Sequence, residues 1–292
     1  MQVVPPPKRC PRVSVAVPAS FVSDVPHLRE KTLKIGLVGR ASAIFRVDEV
    51  IVFPDQPRAN LNREASLIAT ILAYMETPQY LRKLLFRISP ELQYAGVLPP
   101  LRTPHHPLQN RKRDLKNGEF REGVAVAADK QGTLVEIGVE NPILVPHVQI
   151  PLNSRITVKI ASADKQYRAV LANPNEIGAY WGYKVTVSRA PFGRMVKEKP
   201  FDLVLATSRR GTPFTDIADD IRGTWKKSRN VLVAFGSPTQ GLQEIAKHEG
   251  LELDDIADYV VNTVPNQATE TVRTEEALCA TLAVLNLLAT ME

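Results

Sequence analysis

Three short polar segments near the carboxyl end carry the residue types from which a small-molecule site can be built. Gly236-Ser237-Pro238-Thr239-Gln240-Gly241 follows the apolar run Val231–Phe235, and Asn262–Thr271 follows Tyr259–Val261. Thr207-Ser208-Arg209-Arg210-Gly211 follows a third run, Phe201–Ala206. Side chains here are short and polar, so backbone N–H and C=O groups stand open to a ligand, and Gly236 and Gly241 permit close approach. Loops of this kind at the strand ends of an open α/β sheet are where small ligands bind. Asn262–Thr271 exceeds the usual length of an α/β connection, which favours ligand binding over a bare link. The Gly236 turn fits a simple strand-to-helix connection equally well, and Thr207–Gly211 a basic surface turn. A nucleoside-like cofactor is the ligand expected at these loops.

Other chemistries find less support. No GxGxxG spacing is present, which argues against a dinucleotide cofactor and a nucleotide-dependent oxidoreductase. No Ser-His-Asp or Cys-His arrangement is legible, which argues against a hydrolase with a covalent intermediate. His105 and His106 are flanked by prolines and lack partners at metal-ligand spacing, so no metal is expected. The two cysteines, Cys10 and Cys279, lie far apart and suggest neither a disulfide framework nor a metal site; a reducing cytoplasm is the expected compartment. No run approaches twenty apolar residues, so no membrane span is expected. The Pro-rich, basic start from Met1 to Arg12 lacks the apolar stretch of a secretion signal. A formal net charge of +6 permits a nucleic-acid partner. Arg40, Arg46 and Arg273 are candidate phosphate or base contacts, each also readable as a solvated charge.

The elements that must hold the loops read as follows. Val13–Pro18 and Glu49–Phe53 are strands ended by proline. Residues 28–45 fit either an alternating strand or a helix. Asn60 is a candidate N-cap for a helix with Leu61, Ala65, Ile68, Leu72 and Met75 on one face, continued by Tyr80–Phe86. Leu98–Pro107, with four prolines, reads as a linker. Gly123–Ala127, Thr133–Ile137, Arg155–Ile160, Tyr167–Leu171 and Trp181–Val187 are short strand signals of the kind that build a small β-barrel. Beyond Pro200 strands and helices alternate again: a helix around Pro213–Ile221, another over Gln243–His248, and a last one with Leu278, Leu282 and Leu285 on its buried side. Thr269 or Thr271 would cap that last helix, with Glu275 and Glu276 at its positive end. The simplest architecture is one α/β domain made from both chain ends, with a β-barrel inserted between them.

Ala234–Leu242 and Asn262–Ala277 resemble the two C-terminal motifs of SPOUT methyltransferases, nearest the archaeal–eukaryotic group of RNA uridine-N3 methyltransferases. Leu28–Phe53, Tyr94–Leu101 and Trp181-Gly182-Tyr183 resemble the same group, so the likeness covers nearly the whole chain. It implies an α/β trefoil-knot domain (1–104 and 191–292) around an OB-like barrel (105–190), with Leu28–Ile44 helical. It further implies an obligate homodimer and S-adenosylmethionine as cofactor. The family's cofactor loops map onto Leu205, Ala206 and Thr207, onto Phe235, Gly236, Ser237 and Gly241, and onto Asn262, Thr263, Val264, Gln267, Ala268 and Thr269, with Thr271 and Val272 opening the last helix. Ala268 stands where such proteins carry Gly, and a positive φ there would be strained.

The activity that follows from the resemblance is methylation of an RNA base, uridine N3 of ribosomal RNA first and transfer RNA second. Glu270 is the expected proton acceptor, with Arg273 or Arg40 stabilising the uridine anion. Arg46, Arg209 and Arg210, together with Arg111, Lys112, Arg113 and Lys116 at the barrel's entry, are the expected RNA contacts. A non-catalytic RNA-binding or assembly factor that kept the fold is the alternative.

Overall fold

The strands in chain order are β1 (Arg12–Pro18), β2 (Glu49–Phe53), β3 (Phe120–Asp129), β4 (Gly132–Glu136), β5 (Ile143–Pro146) and β6 (Arg155–Ser162). They continue as β7 (Arg168–Leu171), β8 (Lys184–Val187), β9 (Leu203–Pro213), β10 (Asn230–Ala234) and β11 (Tyr259–Asn262). The helices are α1 (Leu28–Ile44), α2 (Asn62–Glu76), α3 (Arg82–Leu85), α4 (Phe192–Glu198), α5 (Phe214–Lys227), α6 (Leu242–Lys247) and α7 (Thr274–Leu288). These assignments come from a computed structural model that describes residues 5–56, 59–162 and 167–290. Met1–Val4, at the start of the Pro-rich opening, lie outside them. The chain divides into two compact units: Arg9–Met75 with Pro90–Pro100 and Tyr183–Glu292, and Met1–Lys8 with Glu76–Ser89 and Leu101–Gly182.

The first unit holds a six-stranded sheet in the order β11-β9-β10-β1-β2-β8, with every pairing parallel. Parallel strands covered on both faces read as unbroken apolar runs, and β1 and β10 are buried almost end to end. Phe192 and Met195 of α4 and Leu242 and Ile245 of α6 join Phe53 and Leu232 in one core cluster. Helices α1 and α7 pack on each other, and Leu278, Leu282 and Leu285 are buried as their spacing requires. Arg9 ties this pair together, its guanidinium donating to the carbonyls of Phe45 at 3.0 Å and Leu285 at 3.3 Å, near the two helix C-termini.

Several local expectations change. Residues 28–44 are helical, because Thr32, Ile35, Val38 and Ser42 form a buried stripe at helical rather than alternating spacing. Asn60 sits one residue outside the cap position of α2, with its side chain accepting from the Asn62 N–H at 3.2 Å. The expected helical continuation over Tyr80–Phe86 is a separate turn and the short α3. The strand read over Trp181–Val187 begins at Lys184 and pairs with β2 in the parallel sheet rather than with the barrel strands. It is the edge strand of that sheet, paired on one side only.

The second unit holds a closed barrel, β3-β4-β5-β7-β6. Val135, Ile143, Val158 and Ile160 fill its interior by strand alternation. The Pro-rich segment read as a linker is irregular but anchored. His105 is fully buried, and its Nε2 lies 3.1 Å from Glu76 Oε1, while His106 Nε2 bonds the Glu76 carbonyl at 2.7 Å. Arg155 binds both Glu76 oxygens, at 2.5 and 3.0 Å, and reaches Glu122 at 2.7 Å. Burial alone would raise the Glu76 pKa, but hydrogen bonds from His105 and Arg155 and the Arg155 charge outweigh it and hold it down at about 2.

Candidate functional site

Strands β11, β9 and β10 are neighbours running the same way, so their carboxyl ends release three loops at one sheet edge. Here the chain departs from regular pairing. The β9–β11 ladder matches Ala206 with Val260 and then Thr212 with Val261, which leaves Thr207–Gly211 as an excursion within β9. The expected free loop is thus part of a long irregular strand. It folds back closely enough that a Cβ on Gly211 would meet the Val260 carbonyl oxygen at 2.7 Å.

The second loop is a closed turn. Ser237 N–H donates to the Gln240 carbonyl at 2.9 Å, and Gln240 N–H to Ser237 Oγ at 3.0 Å. A Cβ on Gly236 would meet the Gln240 carbonyl oxygen at 2.9 Å, so glycine is required. The third loop opens with an Asx turn, Val264 N–H to Asn262 Oδ1 at 3.0 Å. Its left-handed residue is Asn266, at φ 57°, a residue type that tolerates this region. Ala268 is not among the residues with positive φ, so the strain expected there does not arise.

Cross-links make the three loops one assembly. Thr207 Oγ1 donates to the Ala234 carbonyl at 2.9 Å. Asn262 Nδ2 donates to the Arg209 carbonyl at 3.0 Å, and Arg209 Nη1 to the Glu270 carbonyl at 2.7 Å. Thr274 Oγ1 donates to the Gly236 carbonyl at 2.9 Å, and the hydroxyls of Thr263 and Thr281 meet at 2.7 Å. The expected threonine cap of α7 is absent: Arg273 holds the cap position, and its N–H donates to Glu276 at 2.9 Å. Glu275, in the first turn, is buried, and burial pushes its pKa up against the lowering effect of Lys34, 3.7 Å away.

Between the loops lies a cavity of about 700 Å³, within the range of small-molecule sites. Thr207, Phe235, Gly236, Ser237, Gly241, Asn262, Thr263, Val264, Gln267, Thr271 and Val272 line it, as do Arg209, Arg210 and Glu270. Leu205 and Ala206 are wholly buried beneath it, and neither they nor Ala268, Thr269 or Arg273 belongs to its lining. Arg40 also lies outside the lining, its guanidinium donating to the Pro100 carbonyl at 2.7 Å. Arg46 follows α1 with φ 56°.

Arg111, Lys112, Arg113 and Lys116 fall in the barrel unit, around the turn Lys112–Asp114. There the Lys112 ammonium stands 5.8 Å from the Tyr167 ring centre. Among the described residues no cluster of three or more His, Cys, Asp or Glu is arranged to hold a metal ion, and no helix is long and apolar enough to cross a membrane.

Sequence reading missed part of the wall. Gln243, Glu244, Lys247, Leu253 and Asp254 also face the cavity, from α6 and the segment after it. Gln240 contributes a buried side-chain oxygen with no hydrogen-bond partner. Thr274 was overlooked too. The one available signal was a hydroxyl at the first position of a helix that already has acidic residues to offset its dipole.

Residues 12–285 match the family described as "Putative RNA methyltransferase". A Drosophila melanogaster protein named 28S rRNA (uridine-N(3))-methyltransferase is 34% identical over 94% of this chain and 61% of its own length. A human protein of the same name is 32% identical over 94% of this chain and 77% of its own. An uncharacterized Halobacterium salinarum protein is 33% identical over 94% of this chain and 98% of its own. The chain belongs to this RNA methyltransferase family. It spans 61% of the length of the fly relative.

Proposed function

We propose that the protein is an S-adenosylmethionine-dependent methyltransferase that acts on uridine N3 of ribosomal RNA. The observation that carries this reading is the cavity enclosed by three cross-linked strand-end loops, in a chain of an RNA methyltransferase family whose named relatives match 94% of it. Those relatives act, by name, on 28S rRNA uridine.

The residues present fit the cofactor. An adenosine needs hydrogen-bond partners at its base edge and ribose hydroxyls. Thr207, Ser237, Asn262 and Gln267 place polar groups of both kinds on the wall. When bound, the cofactor would supply an electrophilic methyl group for transfer to N3, with its sulfur as the leaving group.

The chain itself must hold the uracil in line and remove its N3 proton. Holding reactants in line supplies a large share of the rate. Glu270, on the cavity wall, is the carboxylate assigned to accept the proton. Arg273 would stabilise the resulting anion, since a guanidinium stays charged and suits the role of fixed cation. Arg210 would hold RNA phosphates at the site, and Arg111, Lys112, Arg113 and Lys116 would do so on the barrel, by backbone and shape. Arg46, expected to join them, precedes β2 at the amino end of the parallel sheet, the edge opposite the cavity.

Two further features complete the proposal. The C-terminal segment would thread a trefoil knot, a reading supported by β11 lying beyond β9 and by the ties from Thr274 to Gly236 and from Thr263 to Thr281. The protein would work as a homodimer in a reducing cytoplasm. Leu33, Leu37 and Ile44 support the dimer: they form an exposed apolar stripe along α1, with exposures of 39%, 52% and 54%. Both cysteines are free.

Mass spectrometry of ribosomal RNA nucleosides from cells with and without the gene tests the proposal. Loss of 3-methyluridine is the expected result, and an unchanged nucleoside profile would overturn it.

A further inference from the structure

We infer that Arg209 is a positioning residue that straps the Asn262–Thr271 loop shut around the cofactor, rather than a phosphate contact; this rests on the cofactor reading above. Two bonds at opposite ends of that loop converge on this single residue. Asn262, at the loop's entry, donates its amide to the Arg209 carbonyl at 3.0 Å. Near the exit, the Arg209 guanidinium donates to the Glu270 carbonyl at 2.7 Å. The main chain of Arg209 is held in turn by its place in the β9 excursion, where the next residue turns back through a bond from Arg210 N–H to Ser208 Oγ at 3.1 Å. One residue therefore bridges the mouth of a long loop that has no ladder partner of its own beyond Asn262.

The chemistry favours this assignment over phosphate binding. A charged donor on a neutral carbonyl makes a stronger bond than amide on carbonyl. Redirecting it to a phosphate would leave the Glu270 turn held, among the described residues, by Gln267, whose amide reaches the Thr269 carbonyl at 2.9 Å and the Glu270 carbonyl at 3.3 Å. The adjacent Arg210 is exposed and lines the cavity, and its guanidinium makes no hydrogen bond or ion pair among the described residues, so it is the one free to meet RNA. The pair thus divides the work: Arg209 holds the loop that carries Glu270, and Arg210 faces the substrate.

The experiment compares the full chain with Arg209→Ala, Arg209→Lys and Arg210→Ala, using three readouts. Hydrogen exchange on ligand-free protein should show peptides over residues 262–273 exchanging several-fold faster in Arg209→Ala, with β1 and β10 unchanged. Titration with S-adenosylmethionine alone should show an affinity about tenfold weaker in Arg209→Ala, the loss expected for one charge-assisted bond at a partly solvated site. Arg209→Lys, which keeps a charged donor, should recover part of that loss. Binding to single-stranded oligouridine across a salt series should leave the Arg209→Ala slope unchanged, while Arg210→Ala lowers it by about 0.7.

Unchanged loop exchange in Arg209→Ala, or a lowered salt slope with wild-type cofactor affinity, would overturn the strap. Faster exchange with no change in cofactor affinity would overturn its role toward the cofactor. Failure of the wild-type protein to bind S-adenosylmethionine would instead count against the proposed function, and the exchange readout would still judge the strap.

Discussion

The Thr274 hydroxyl donates to the Gly236 carbonyl at 2.9 Å, which joins the first residue of the last helix to the glycine that ends the β10 strand run. Thr274 is 3% exposed, so this bond is made away from water. The bond fixes where α7 begins, and with it Thr271 and Val272 on the cavity wall. Replacing Thr274 by Val keeps the shape and strands the carbonyl. The expected cost is about 1–2 kcal/mol of stability, read as a lower urea midpoint at unchanged slope. Weaker binding of S-adenosylmethionine should accompany it.

Gly211→Ala should be worse than its size suggests. The added methyl would meet the Val260 carbonyl oxygen at 2.7 Å and the Val261 carbonyl carbon at 2.8 Å, both backbone atoms of the paired strand. Neither can rotate away, so β9 and β11 must part. About 1–3 kcal/mol of destabilisation is expected, together with loss of methyl transfer. Gly223→Ala, on α5 with open space around it, serves as the control and should be tolerated or mildly stabilising.

Acid should loosen the barrel unit. The Glu76 carboxyl is held down to about 2 from an ordinary 4.5. A carboxyl with a depressed folded pKa contributes stability that is complete above its unfolded value and lost as pH falls through the folded one. Wild-type stability should therefore decline between about pH 5 and pH 2, as read by the pH dependence of the urea midpoint. Glu76→Gln removes this dependence. It should also cost about 3 kcal/mol at neutral pH by taking a buried partner from Arg155.

Charge on the α1 stripe should break the proposed dimer. Leu37, 52% exposed, lies between Leu33 and Ile44 on one side of the helix. Leu37→Lys should give a monomer by sedimentation, with a lower melting temperature that no longer depends on protein concentration, because dimer formation stabilises the fold by mass action. A wild-type protein that sediments as a monomer would refute this assembly.

The sequence carried much of the fold because apolar runs such as Val231–Phe235 have one reading when bounded by Gly and Pro. It placed three polar loops after three strands, and the parallel order β11-β9-β10 brings those loops together. It was less informative where tertiary contacts decide. Leu28–Ile44 alternates over Leu33, Ile35 and Leu37 yet is helical, because burial follows Ile35, Val38 and Ser42. Leu98–Pro107 looked like a linker because local sequence does not reveal that Glu76 waits for His105. Arg209 and Arg210 are identical in type, and only the bond to Glu270 tells them apart. The cavity wall from α6 was hidden for a similar reason: Glu244 and Lys247 have the composition of any solvated helix face.

A crystal grown with S-adenosylmethionine measures the central claim most directly. Density for the adenosine should appear against Phe235–Ser237 and beside Val264–Val272, with its methyl carbon open toward Glu270. Crystals that bind it elsewhere, or protein that does not bind it in solution at millimolar concentration, would contradict the account.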